Sequence, residues 1–173
     1  MRGIRRFVML GVALGFCSVH GLQAEEYNRL GVGAHYWKAV KNIDVNDIDE
    51  SGMSYLATYQ LVPAWFLKLE ADLEVFPDGF AGNKDTTYAP QAFALLGSWI
   101  YGGLGIGVTY ADGEFAENPF YTVRAGLDLP LPLNLHLDIN ANYQFLTWEK
   151  IKELQKNVHS DTVTAGAAVR LAF

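Results

Sequence analysis

The sequence predicts an all-β protein: an eight-stranded antiparallel up-and-down barrel crossing a membrane, its apolar face outward and its lumen polar and filled. Three observations carry this. After Glu25, apolar and polar residues alternate through stretch after stretch, and a period of two belongs to strands. The connections between these stretches alternate between short and long, as in an up-and-down meander. The polar positions are too rich in glycine and too evenly charged to be a soluble exterior, which would be dense in Lys and Glu.

The elements follow in order. "YNRLGVGAHYW" sets Leu30, Val32, Ala34 and Tyr36 against Arg29, Gly31, Gly33 and His35, and "MSYLATYQL" sets Met53, Tyr55, Ala57, Tyr59 and Leu61 against Ser54, Thr58 and Gln60. "WFLKLEADLEVF" sets Trp65, Leu67, Leu69, Ala71, Leu73 and Val75 against Lys68, Glu70, Asp72 and Glu74. "QAFALLGSWI" is apolar on both faces, so its phase stays open. "GGLGIGVTY" places glycine at 103, 105 and 107 behind Leu104, Ile106, Val108 and Tyr110. "FYTVRAGLDLP" opposes Thr122, Arg124, Gly126 and Asp128 to Tyr121, Val123, Ala125, Leu127 and Leu129. "NLHLDINANYQF" opposes His136, Asp138, Asn140, Asn142 and Gln144 to Leu135, Leu137, Ile139, Ala141, Tyr143 and Phe145. "TVTAGAAVRLAF" closes the chain with Val163, Ala165, Ala167, Val169, Leu171 and Phe173 on one face and Thr164, Gly166, Ala168 and Arg170 on the other. Short links are expected at 62–64, 98–102 and 130–134, and long polar ones at 38–52, 77–90, 111–119 and 149–161.

Alternation alone does not say which face is inside. A charge at the bilayer midplane costs ~2–4 kcal/mol, and the apolar faces carry none at mid-strand. Aromatics gather at strand ends: Tyr36, Tyr110, Tyr121, Phe145 and Trp148 toward the long loops, and Tyr27, Trp65, Trp99, Tyr101 and Phe173 toward the short turns. Two such girdles mark the interfaces of a membrane barrel. The polar face offers Arg29, Lys68, Arg124 and Arg170 to Glu70, Asp72, Glu74, Asp128 and Asp138, with His35 and His136 among them. Unpaired charge in a closed interior is costly, so these residues are expected to form one lumenal network.

Residues 1–24 read as a secretory signal peptide: Arg2, Arg5 and Arg6, then a short apolar run, then small Ala24. Residues 25–173 form the barrel domain. The single cysteine, Cys17, falls in the leader, and the bulky Phe16 before it argues against lipidation. Removing the leader takes away three arginines and no acid, moving the net charge from −6 to −9. Such an acidic exported chain is not built to bind nucleic acid. At 18% the charged fraction is low for a soluble domain, where about a quarter of residues are charged.

The leader, the eight alternating strands and the ending "VRLAF" resemble the small outer-membrane β-barrels of Gram-negative bacteria, the OmpA/OmpX-like class. The resemblance spans residues 25–173 and lies in architecture rather than in a catalytic motif. It implies that Phe173, with Leu171 and Val169 before it, is the signal read by the outer-membrane assembly machinery. It also implies contact with outer-membrane lipid and lipopolysaccharide, both termini in the periplasm, and the long loops outside the cell facing a partner the sequence does not name.

Several motifs invite a chemical reading. "GGLGIG" has the look of a phosphate-binding glycine run, but such a run needs a helix after it, and here the glycines occupy alternate places in a strand. His35 and His136 sit near acids, and the reading adopted for them is membership of the lumenal network rather than a metal or acid–base site. His159 and Ser160 are the residue types used by lipid A deacylase barrels, without that family's surrounding motif. Asp44, Asp47, Asp49 and Glu50 lack the glycine and terminal glutamate spacing of a calcium loop. "WEKIKELQKN" has the spacing of a short helix at the membrane rim. No catalytic residue, metal or cofactor is assigned. The preferred function is a non-enzymatic barrel with a structural, envelope-integrity or surface-interaction role and no open general pore. A lipid A-modifying enzyme is the alternative, and a soluble lipocalin-like carrier stands behind it.

Overall fold

The computed structural model describes residues 28–39, 51–77, 86–111, 113–145 and 162–173. Eight long strands form the wall: β1 (Asn28–Ala39), β2 (Ser51–Ala64), β3 (Leu67–Phe76), β4 (Thr87–Gly97), β5 (Ile100–Gly107), β8 (Phe120–Leu131), β9 (Leu135–Phe145) and β10 (Thr162–Ala172). Two short strands, β6 (Tyr110–Ala111) and β7 (Glu114–Phe115), make a small hairpin on the connection from β5 to β8. The signal peptide expected at 1–24, Tyr27, Trp148, the acidic cluster from Asp44 to Glu50, the 149–161 segment, His159 and Ser160 lie outside the described residues.

Each long strand pairs antiparallel with its neighbours, β1 pairs with β10, and β3 pairs with β4, so the sheet closes on itself. Closure matters physically. An unpaired backbone N–H or C=O in hydrocarbon costs several kcal/mol, and a closed ring leaves the wall no edge.

The turns at one end are tighter than the sequence suggests. β2 runs on through Pro63 to Ala64, with a register shift after Leu61, and turns at Trp65–Phe66 instead of at 62–64. The proline sits where the ladder is already broken and its missing N–H does no harm. The β4–β5 turn needs only Ser98 and Trp99, helped by Gly97 at φ 123°, whose N–H donates to Phe66 O at 2.8 Å. The β8–β9 turn places Leu133 and Asn134 at φ 64° and 56°. At the other end β4 starts at Thr87, taking four residues from the loop expected at 77–90.

The faces are as the alternation predicts. Leu30, Val32, Leu69, Leu73, Leu104, Ile106, Ile139, Val169 and Leu171 are exposed on the outer wall, while His35, Glu70, Arg124, Asp138 and Arg170 are buried. A soluble carrier barrel would have these faces reversed. In β4 the open phase resolves with Gln91, Phe93 and Leu95 inward and Ala92, Ala94 and Leu96 outward. Exposed Tyr36, Tyr55, Tyr88 and Phe115 ring the loop end, and Trp65, Phe66, Trp99 and Phe173 ring the turn end. Tyr101 corrects the expected girdle: it points inward, 3% exposed, and its hydroxyl is part of the lumen. Phe145 keeps its outward parity but is buried beside Tyr121 and Tyr143, with both ring centroids 6.0 Å away.

Candidate functional site

The lumen holds nearly all of the barrel's described polar chemistry, arranged in tiers. At the turn end Asp128 is the hub. Its Oδ2 accepts from Arg29 Nη1 at 2.7 Å and from Lys68 Nζ, and its Oδ1 lies 3.0 Å from His136 Nδ1. An ionised carboxylate only accepts, so the imidazole presents its N–H there. Lys68 also donates to Ser98 O at 2.8 Å, tying the ammonium to the β4–β5 turn, and lies over the Tyr101 ring. Arg29 reaches Gln60 Oε1 at 3.0 Å.

The middle tier is built on Glu70. One oxygen, Oε1, accepts from Arg124 Nη1 at 2.6 Å and from Arg170 Nη2 at 2.9 Å, and the other accepts from Gln60 Nε2. Arg124 then extends to Asp72 Oδ2 at 2.9 Å and to Asn142 Oδ1. Arg170 Nη1 lies 2.9 Å from Asp138 Oδ2, which also accepts from the Tyr101 hydroxyl at 2.7 Å. Asn140 donates to Asp138, and Asn142 donates to Asn140 and to Thr164, so the amides of β9 form a ladder along the wall. Charge-assisted hydrogen bonds of this kind are about twice as strong as neutral ones, and their mutual fixing leaves the lumen little freedom.

Toward the loops the third tier centres on Glu74. Its Oε1 accepts from Ser54 Oγ at 2.6 Å and lies 2.9 Å from His35 Nδ1, and its Oε2 accepts from Gln91 Nε2 at 2.8 Å. Serine, histidine and glutamate thus meet, but serine and histidine both address the carboxylate. A nucleophile needs the serine on the imidazole, so this is a hydrogen-bonded cluster without triad geometry. Beyond it Trp37, Phe76, Ala89 and Phe120 form a buried apolar cap. Trp37 and Phe76 meet edge to face with centroids 6.5 Å apart.

The glycines explain how so many large side chains fit. A Cβ on Gly105 would lie 2.4 Å from two ring carbons of Phe93, and one on Gly126 would lie 2.5 Å from the Tyr101 hydroxyl. Phe93 in turn stacks under the Arg124 guanidinium at 3.7 Å from the ring centroid. The "GGLGIG" run therefore makes room in the lumen and cradles no phosphate.

All eleven residues expected in the lumenal network thus face the lumen, in two linked tiers around Asp128 and Glu70 and a third around Glu74. Four guanidinium or ammonium groups meet four carboxylates, those of Glu70, Asp72, Asp128 and Asp138. The sequence reading missed Tyr101 as a member of the network, and did not foresee Ser54 and Gln60 as direct partners of Glu74 and Glu70. Among the described residues no group of three or more His, Cys, Asp or Glu side chains is placed to hold a metal ion. Buried His35 Nε2, Gln91 Oε1, Thr122 Oγ1 and Gln144 Nε2 make no hydrogen bond among the described residues. Val169 and Leu171 are exposed on the outer face of the last strand, and Phe173, also exposed, directly follows its end.

No family model matches the sequence, and no curated protein matches it either. The fold does have solved counterparts. Neisserial surface protein A (NspA) superposes with a TM-score of 0.58 at 17% identity, over 84% of this chain and 97% of that one. The N-terminal β-barrel domain of Pseudomonas aeruginosa OprF gives 0.51 at 12% identity, over 86% and 100%. Ail, the attachment invasion locus protein of Yersinia pestis, solved with the heparin analogue sucrose octasulfate, gives 0.50 at 15% identity, over 87% and 100%. At these identities the likeness is one of fold: this chain has the fold of the small eight-stranded outer-membrane barrels.

Proposed function

We propose that this chain is an integral protein of the bacterial outer membrane, a sealed, non-enzymatic barrel that serves envelope integrity or presents its long loops to partners. The observation that carries this reading is the lumen. A barrel of eight strands has an interior just wide enough for side chains to fill. Here three hydrogen-bonded tiers and an apolar cap fill it. Among the described residues, ion pairs that span the lumen, such as Arg124 to Glu70, favour a sealed barrel.

The apolar wall and the two aromatic belts support residence in a bilayer, and the fold of the solved counterparts supports the outer membrane of a Gram-negative cell. The first residue of β1 and the residue after β10 meet at the short-turn end, where Phe173 N–H donates to Asn28 O at 2.9 Å. In this reading that end faces the periplasm and the long loops face outward. The immediate partners are outer-membrane lipid and lipopolysaccharide, and the assembly machinery that engages Val169, Leu171 and Phe173. Sucrose octasulfate is bound by Ail; with a net charge of −9 after leader removal, this chain is poorly suited to so polyanionic a ligand.

The test is electrical. Reconstituted in planar bilayers, the barrel is expected to show no stable conductance steps and its proteoliposomes no swelling in small sugars. A persistent, reproducible pore for such solutes overturns the sealed-barrel reading.

A further inference from the structure

Five buried side-chain atoms on five different strands make no hydrogen bond among the described residues: His35 Nε2, Asp72 Oδ1, Gln91 Oε1, Thr122 Oγ1 and Gln144 Nε2. The register brings them together. Following paired residues around the wall from Arg29 through Glu70, Gly105 and Gln144 leads back to β1 at Ala39, ten residues nearer the loops. A rung of the sheet therefore climbs about 1.25 residues per strand, as strand tilt in a closed barrel requires. Allowing for that climb, His35, Gln91, Thr122 and Gln144 stand within about two residues of one height, with Asp72 just below.

This level has a roof and a floor. Trp37, Ala89 and Phe120 are the next inward positions toward the loops from His35, Gln91 and Thr122, and with Phe76 they form the apolar cap. Arg124 is the next inward position below Thr122, and it crosses the lumen to Glu70 and Asp72. Between them the short side chains of Ser54, Thr122 and Thr164 leave space that longer ones would take.

The mixture of donors and acceptors identifies the occupant. Gln91 Nε2 donates to Glu74, so its Oε1 is an acceptor, and Asp72 Oδ1 is another. His35 presents its Nδ1–H to Glu74, which makes Nε2 of the neutral ring a third. Gln144 Nε2 is a donor, and the Thr122 hydroxyl is both. A metal cation would meet the Gln144 N–H groups, and an anion would meet the Asp72 carboxylate. Water donates and accepts, and a buried water typically makes about three hydrogen bonds to groups otherwise unsatisfied. Five such groups call for about two waters.

We propose that the lumen contains a closed hydration site between the apolar cap and the Arg124 tier, where about two ordered waters join β1, β3, β4, β8 and β9. The waters complete the filling of the barrel at the one level where side chains do not meet each other. The proposal rests on the sealed-lumen reading and goes beyond it.

Two measurements test it on the full mature chain refolded in detergent. A crystal structure that resolves solvent should show water within hydrogen-bond reach of His35 Nε2, Gln91 Oε1 and Thr122 Oγ1. Thr122→Val keeps the shape and removes the hydroxyl. If the hydroxyl holds water, its loss leaves that water short of a partner, and the urea midpoint should fall. If the hydroxyl is dry and unpaired, its loss should raise the midpoint. Stable conductance of the parent in planar bilayers strikes the sealed-lumen reading. A parent silent in bilayers overturns this proposal alone if the five groups pair directly with one another, if an ion or an organic molecule occupies the level, or if Thr122→Val is as stable as the parent or more so.

Discussion

Arg124 and Glu70, 54 positions apart in sequence, meet at 2.6 Å inside the barrel, and the same carboxylate oxygen receives Arg170 from β10. Removing that carboxylate leaves two buried guanidiniums short of an acceptor. Breaking a buried ion pair from one side costs about 3–5 kcal/mol. Glu70→Ala is expected to lower the unfolding free energy by that order in urea titrations of the lipid-reconstituted barrel. Glu70→Gln keeps one acceptor oxygen and should lose less. Equal stability of Glu70→Ala and the parent would mean that the tier contributes nothing to the fold.

The register predicts a sharp difference between faces. Ile139 is exposed on the outer wall at the middle of β9, so Ile139→Arg places a charge in hydrocarbon at a cost of ~2–4 kcal/mol. Folding yield into vesicles, read from the gel shift of unboiled samples, should fall steeply. The conservative Ile139→Val should fold as the parent does.

Gly105 and Phe93 form a second checkable pair, because a methyl on Gly105 would stand 2.4 Å from the ring. Overpacking of this kind costs about 1–3 kcal/mol. Gly105→Ala should destabilise the barrel, and Phe93→Leu in the same chain should recover part of the loss. A double-mutant cycle measures the coupling, which should vanish if the two side chains do not meet.

The apolar cap stands in series with the charged tiers. Phe76 is 1% exposed, and its truncation to alanine should cost about 3–5 kcal/mol. Because the tiers below remain closed, Phe76→Ala should still give no conductance steps in planar bilayers. A pore opened by this change alone would make the cap the sole seal.

Phe173 separates assembly from stability. It is 63% exposed, so Phe173→Ala should leave unfolding in vitro within about 0.5 kcal/mol of the parent. If the last strand is the assembly signal, the same change should sharply reduce folded barrel in cell envelopes. Normal envelope levels would remove that role from Phe173.

Much of the fold was legible because a period of two is a local property: each strand announced its two faces without knowledge of its neighbours. The identity of the lumenal residues followed. What stayed hidden depends on register. Phe93 and Leu95 could not be assigned in an all-apolar stretch, since the reason they turn inward is the space left by Gly105 and Gly103 on the next strand. Tyr101 was expected at the rim for its aromatic character, yet Gly126 opposite it opens the space and Asp138 takes its hydroxyl. The hydrogen bonds from Ser54 to Glu74 and from Gln60 to Glu70 likewise require knowing which rungs align.

The seam between β1 and β10 joins the two ends of the barrel domain, with Arg29 opposite Ala172 and Lys38 opposite Val163. Closure therefore waits for β10, the last strand of the barrel, whatever the earlier hairpins have done. Until then β1 has one free ladder, and every outward leucine along the wall lacks its hydrocarbon. A polypeptide in that condition is prone to aggregate, because unpaired strands and bare apolar faces are what sticky intermediates share. Synthesis order and geometry together define the vulnerable interval: from release of β10 to closure, the open ladder of β1 and the apolar wall stand bare.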